Sequence, residues 1–380
     1  MVAAFAALFF LFSPHQTDAQ LATEDHIAEP GFWPTQNAAA RSDFAGAAAC
    51  ASCHGGIAAT HRTIPMGNAA LHVSDSGILH AHPKMDFAVG PYHYELKTEG
   101  KNTTYTVTGG EHPLSYPLLW AFGIGRDGQS YLFKQDDGNF YEARVSFFDS
   151  LKTLNFTPGR ALASPKSAEE AMYRKVGPAE VVKCFGCHTT AGIFEGKLDE
   201  KNLTPGVSCE ACHGPGAKHV TAMREAKISG IPESGPSLIF NSAKLSPTDS
   251  VDFCGACHGT FWDVKLAGVT GVSAARSQPY RLVSSKCWGK GDDPRLTCIA
   301  CHDPHKQLET EAASYDHVCL SCHVNAVGAK PTADHPGAAC PVSTKNCASC
   351  HMPKVLVPEM HADFTDHRIR IARKGEPYPE

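Results

Sequence analysis

Three observations predict the fold class: seven copies of Cys-x-x-Cys-His, Pro and Gly scattered through the C-terminal two-thirds, and two β-hairpin signals between the first and second copies. Together they predict mainly short α-helices and loops wrapped around stacked haems, with a small antiparallel β insert.

The repeated motif sets the cofactor. It occurs at Cys50/Cys53/His54, Cys184/Cys187/His188, Cys209/Cys212/His213 and Cys254/Cys257/His258. It recurs at Cys298/Cys301/His302, Cys319/Cys322/His323 and Cys347/Cys350/His351, so that 14 of the 16 Cys are used. Composition alone predicts about 0.04 such matches, and the pattern is the attachment signal of c-type haem. Two thiols three positions apart on a short turn reach both vinyl groups of one porphyrin and form thioethers. The His that follows comes under the ring face and takes one axial position on iron. Zinc also favours Cys-x-x-Cys pairs, but it does not require His directly after every second Cys. The expectation is seven covalent haem c groups, a multihaem cytochrome architecture, and haem faces that replace much of an ordinary core. On that reading the apo-chain folds poorly.

Composition narrows the partners. Hydrophobic and charged contents of 42% and 19% are ordinary for a globular chain and exclude disorder and coiled coil. A nucleic-acid binder is basic, whereas this chain carries a formal −5. Each ferric haem with two propionates adds about −1, so the holoprotein runs near −12 oxidised and about −19 reduced. Cations and redox partner proteins are the expected neighbours.

Residues 2–12, VAAFAALFFLF, form an apolar run too short to span a bilayer. Thr17-Asp18-Ala19 fits a cleavage site, so 1–19 resembles a signal peptide, although no basic n-region precedes it. A buried or interfacial helix is the alternative. Export to the periplasm or beyond follows from the signal-peptide reading, with no transmembrane segment in the mature chain. The remaining organisation reads as an N-terminal haem-1 segment over 20–90, a β-rich insert over 91–160 and a six-haem region over 161–380. Tyr92–Lys97 and Thr103–Thr108 flank Glu-Gly-Lys-Asn, and Tyr131–Gln135 and Phe140–Val145 flank Asp-Asp-Gly-Asn; both read as hairpins. Ser167–Val176 and Lys218–Lys227 read as brief helices.

Thirteen His remain outside the motifs and the leader, more than the seven distal ligands that seven haems need. Six-coordinate irons favour electron transfer over substrate binding at iron. His219 lies six residues beyond His213 across a Gly-Pro turn. His305 lies three beyond His302, too close to serve the same iron, and is assigned to a neighbouring haem. His317 sits two before Cys319, and His361 and His367 lie in HADFTDHRIR. His82 completes the histidine candidates. Met66, twelve residues past His54, would complete a His/Met haem of raised potential; a gap-filling core Met is the alternative, and His61 and His72 are local competitors. Cys287 and Cys340 are left over and are expected to pair in an oxidising compartment, with a thiolate ligand or a free thiol as alternatives.

The ordered string CASCHGGIAATHRTIPMGNA, GIGRDGQSYLF, PGVSCEACHGPGAKHV, LTCIACHDPHK, VCLSCH, NCASCHMPK and FTDHRIR resembles a family of bacterial multihaem c-type cytochromes, from about Phe44 to Lys374. That family is often described as cytochrome c with tetratricopeptide repeats. It is similar in turn to the tetrahaem cytochromes of ammonia oxidisers, pentahaem nitrite reductase and octahaem hydroxylamine oxidoreductase. The resemblance implies haems in parallel and perpendicular pairs, and implies His219, His305 and His367 as distal ligands. A His often stands in the relatives where Met66 stands here. Departures are equally clear. Tetratricopeptide repeats and Cys-x-x-Cys-Lys are absent, and the crosslinking Tyr of hydroxylamine oxidoreductase has no placed counterpart.

The leading expectation is an exported seven-haem electron carrier with no catalytic residue. One alternative is a reductase or oxidase of a small nitrogen or sulfur compound. It needs an open iron at the first haem or at Cys254–His258, with Arg126, His112 and Tyr116 as pocket candidates. The other is a subunit of an extracellular haem filament, or another homo-oligomer.

Overall fold

The computed structural model describes residues 40–161, 165–230, 238–288, 296–324, 328, 330 and 337–379. The leader expected over 1–19 lies outside them.

Strands dominate the first half. β1 (Ala70–His72), β2 (Lys84–Val89), β3 (Tyr92–Glu99), β4 (Asn102–Thr108), β5 (Leu114–Pro117) and β6 (Trp120–Phe122) are followed by β7 (Ser130–Lys134), β8 (Phe140–Ala143), β9 (Val145–Phe148), β10 (Thr153–Phe156) and β11 (Tyr173–Lys175). One antiparallel sheet runs β2-β3-β4-β5, and a second, five-stranded, runs β1-β6-β7-β8-β11. The two hairpins read from the sequence are present as β3–β4, with Glu99 opposite Asn102, and β7–β8, with Lys134 opposite Phe140.

Side-chain alternation explains the packing. Tyr92, Tyr94 and Leu96 of β3 and Thr103, Tyr105 and Val107 of β4 point inward at every second position. All four residues of β9 are buried, as happens when both faces of a strand are covered. The core gathers Tyr94, Tyr105, Tyr131, Phe133 and Phe147. Tyr105 donates its hydroxyl proton to the Met172 carbonyl at 2.9 Å.

The expected fold class is therefore corrected. The protein is not a mainly helical chain wrapped around haems, and its β structure is no small insert: the described residues form six sheets, one of five strands and one of four. Two physical reasons account for the difference. Aromatic side chains of alternating strands supply this core, where haem faces were expected to do so. In addition, β1 and β11, three residues each, pair with β6 and β8 from outside the hairpin region, and pairing at that range leaves no local signal.

The sheet also positions the first helix that carries a motif after it. Trp120, Leu132 and Phe140 pack on Val181 and Phe185 of the Pro178–His188 helix, with Trp120 and Phe185 edge to face at 5.2 Å. Pro178 at the first helical position fixes its start. Ser246 similarly caps the Pro247–His258 helix by accepting from Asp249 N at 3.1 Å. Further along, the Gln278–Val283 helix is tied to the Lys354–Val357/Ala362–Thr365 hairpin. Arg281, 1% exposed, donates to Asp366, 0% exposed, at 2.8 and 3.1 Å.

Candidate functional site

Every motif begins on a helical turn. The turns are Ala47–Ala51, Pro178–His188, Cys209–His213, Pro247–His258, Cys298–Cys301, Asp316–Leu320 and Cys347–His351. In three of them the His amide closes the turn on the first Cys: His54 on Cys50 at 2.8 Å, His302 on Cys298 at 2.9 Å and His323 on Cys319 at 2.9 Å. A turn of this kind places both sulfurs on one side and the imidazole one residue further round.

Four motif imidazoles are oriented by backbone carbonyls. His188 Nδ1 donates to Ala69 O at 3.1 Å, and His213 Nδ1 to Phe240 O at 2.9 Å. His323 Nδ1 donates to Ala338 O at 2.9 Å, and His351 Nδ1 to Arg370 O at 2.8 Å. A carbonyl only accepts, so the proton sits on Nδ1 and Nε2 presents its lone pair. That is how a metal-ligating imidazole is held. These four carbonyls were invisible in the sequence because any residue supplies one. Burial lowers His188, His258 and His302 below the usual imidazole range and takes His367 down to about 4. All four are neutral donors at pH 7, as ligation requires.

Two pairs of imidazoles face one another at a revealing distance. His213 and His305 have ring centroids 6.1 Å apart and planes within 3°; His302 and His367 are also 6.1 Å apart, at 43°. First-row metal–imidazole bonds are about 2.0 Å and a centroid lies about 1.1 Å behind Nε2, so two rings on one iron stand about 6.2 Å apart. In each pair one member belongs to a motif and the other does not. The second members are also held through Nδ1: His305 faces Asp303 Oδ1 at 3.3 Å, and His367 donates to Thr365 O at 2.9 Å. The donor set thus fits an iron porphyrin. His61 lies 6.4 Å from His305 at 57°, and burial and its histidine neighbours lower its pKa.

The other candidates lie elsewhere. Met66 is held beside the third motif, its carbonyl accepting from Val207 N at 2.9 Å. The two chains cross so closely there that a Cβ on Gly206 would meet Gly67 O at 2.2 Å. His82 packs on Phe147 at 5.0 Å and His361 on Phe148 at 4.7 Å. His72 lies 4.0 Å from Trp120. His219 is half-buried on the Ala217–Ser229 helix, and His317 is exposed beside a groove of about 460 Å³ with Thr297, Ile299 and Val318. His112 and Arg126 are exposed, and Tyr116 stacks on Phe133 at 4.9 Å. Cys287 and Cys340 form no disulfide, against the expected pairing; Cys287 instead neighbours Cys319 of the sixth motif.

Sulfurs of different motifs adjoin. Cys50 meets Cys209, Cys187 meets Cys257, Cys254 meets Cys298, and Cys319 meets Cys347. Cys301 neighbours Cys319, and Cys212 neighbours Cys254 and Cys257. Among the motif thiols Cys53, Cys257 and Cys350 are exposed and the rest are half-buried. Three of them have the hydroxyl of the preceding Ser at 3.9 Å: Ser52 beside Cys53, Ser321 beside Cys322 and Ser349 beside Cys350. The cause is local. These three motifs carry Ser before the second Cys, where the other four carry Gly or Ala. Each Ser hydroxyl also donates back to a carbonyl three residues earlier, Ala49 O, Val318 O or Asn346 O, at 2.6 to 2.7 Å, and such a bond suits a turn that borders water. For all fourteen motif Cys the attachment role rests on the motif spacing. No helix among the described residues is long and apolar enough to cross a membrane.

Residues 151–214 match the family model described as cytochrome c554 and c-prime. This stretch holds the second and third motifs, Cys184–His188 and Cys209–His213. The match supports a c-type cytochrome with covalently bound haem c and a role in electron transfer. No curated protein and no solved structure matches the chain.

Proposed function

We propose that the protein is an exported seven-haem c-type cytochrome that carries electrons along a row of covalently held haems. The observation that carries this reading is the pair of 6.1 Å imidazole spacings, His213–His305 and His302–His367. Each suits an iron saturated by two histidines, which has no vacant position for a substrate. His305 is thereby assigned to the haem of the third motif and His367 to that of the fifth. The fourteen motif Cys serve as the attachment points. His54, His188, His213, His258, His302, His323 and His351 serve as proximal ligands.

Bound haem supplies one-electron exchange between ferrous and ferric iron. The chain's own residues keep that exchange free of rearrangement. The carbonyls of Ala69, Phe240, Ala338 and Arg370 fix four imidazoles in one tautomer. Partial burial of His188, His302 and His367 lowers their pKa and keeps these donors neutral. The contacts between motif sulfurs support a row running from the first motif through the third, fourth, fifth and sixth to the seventh, with the second joined at the fourth. Export rests on the signal-peptide reading of residues 1–19.

The test is spectroscopy of the purified holoprotein, with its mass giving the haem number. Low-spin ferric signals unaltered by nitrite, and a reduced spectrum unaltered by CO, are expected. A high-spin component that moves with either ligand would overturn the carrier reading and favour a reductase or oxidase with an open iron.

A further inference from the structure

Two carboxylates occupy matching places between motifs. Glu210, inside the third motif and 3% exposed, accepts from Ala45 N at 2.8 Å and Gly46 N at 2.9 Å, just ahead of the Ala47–Ala51 helix of the first motif. It also accepts from Gly216 N at 2.8 Å, the residue that opens the next helix of its own segment. Asp316, three residues before Cys319 of the sixth motif, accepts from Asn346 N and Cys347 N, both at 2.8 Å, where the seventh motif's helix begins. In both places the sulfurs of the two motifs touch, Cys50 with Cys209 and Cys319 with Cys347.

We infer that Glu210 and Asp316 are positioning residues: each clasps the helix of one motif to the segment of another and holds a negative charge beside that pair, so that its haems are harder to reduce than they would be without it. The inference rests on haem being carried at the motifs, as proposed above. An acceptor-only carboxylate is the group that satisfies several converging N–H donors. Each carboxylate stands at the positive end of a short motif helix.

The charge is felt where the thioethers form. Asp316 accepts from the amide of Cys347 itself, and Glu210 follows Cys209 directly in the chain. A carboxylate stabilises ferric over ferrous haem for the same reason that it disfavours a neighbouring thiolate. At an effective dielectric constant of about 20 and a separation of about 12 Å, one charge changes the reduction equilibrium about tenfold, which is about 59 mV for one electron.

The experiment is a potentiometric titration of holoprotein followed by its haem absorption, for wild type, Glu210→Gln and Asp316→Asn. Each substitution keeps the shape but removes the charge and turns an amide donor toward a backbone donor. Upward shifts of about tenfold are expected for a minority of the haem components, a different minority in each variant. Asp137→Asn, which removes a charge from the β7–β8 turn far along the chain from any motif, should leave every component unmoved. Potentials unchanged in both clasp variants, with full haem content and intact low-spin spectra, would overturn the inference while leaving the carrier reading in place. A wild type without haem at the motifs would instead overturn the carrier reading itself. If one variant accumulates too little holoprotein, the other decides the matter, because the two clasps share no residue.

Discussion

His305→Ala is the most direct probe of the proposed axial pairs. His305 lies 6.1 Å from His213 with parallel planes, and the Nδ1 atoms of both rings are engaged, toward Asp303 and Phe240 O respectively. Only the two Nε2 atoms are left to face an iron. Truncation to Ala removes one of them, and no short side chain can reach across the gap. One iron in seven then loses its second imidazole, so about one-seventh of the low-spin population becomes high-spin and sensitive to CO. His367→Ala should produce an equal, separate change, because His367 pairs with His302. The double variant should show the sum, about two-sevenths, since the two sites share no ligand. His93→Ala, on β3 beside Asp86, serves as a control without effect. The assay is resonance Raman spectroscopy of the spin-state marker bands together with a CO-difference spectrum. A fully low-spin His305→Ala protein, with normal haem content and no CO response, would refute the reasoning.

Three further outcomes are expected. Arg281→Met leaves the buried Asp366 with Arg370, the Arg368 amide and the neighbouring Tyr378; the Gln278–Val283 region should lose about 3 kcal/mol, at the low end for a broken buried pair, in native-state hydrogen exchange. Gly337→Ala places a Cβ 2.4 Å from His323 Nδ1, which displaces the ring from Ala338 O; the haem mass should stay unchanged while about one-seventh of the low-spin signal shifts in resonance Raman spectra. Tyr105→Phe removes the hydroxyl bond to Met172 O, but that carbonyl still accepts from Arg144 N at 3.0 Å. Its cost should be about 1 kcal/mol by thermal unfolding, and a loss several-fold larger would contradict the shared-acceptor reading.

Local chemistry was legible in the sequence and long-range geometry was not. The β3–β4 and β7–β8 hairpins declared themselves because their turns carry Gly between alternating strands. Ser167–Val176 was read as a single helix, yet the helix ends at Met172 and Tyr173–Lys175 extends to pair with β8. The competing sheet edge, absent from any local window, decides that boundary. Spacing singled out the motif residues, and resemblance singled out His219, His305 and His367, of which the structure brings His305 and His367 near motif imidazoles. Glu210 was hidden because a motif's second position tolerates many residue types, and its partners, Ala45 and Gly46, lie in a different stretch of chain.

The five-stranded sheet bears on how the protein is assembled. β1 continues from the first motif's segment and lies at one edge; β11 leads to the second motif's helix and lies at the other. Four inter-strand steps of about 4.8 Å set these edges about 19 Å apart. The described residues between them, 73–161 and 165–172, share one aromatic core. On the proposed reading this stretch would act as a jig during biogenesis, presenting two distant attachment sites at a set spacing.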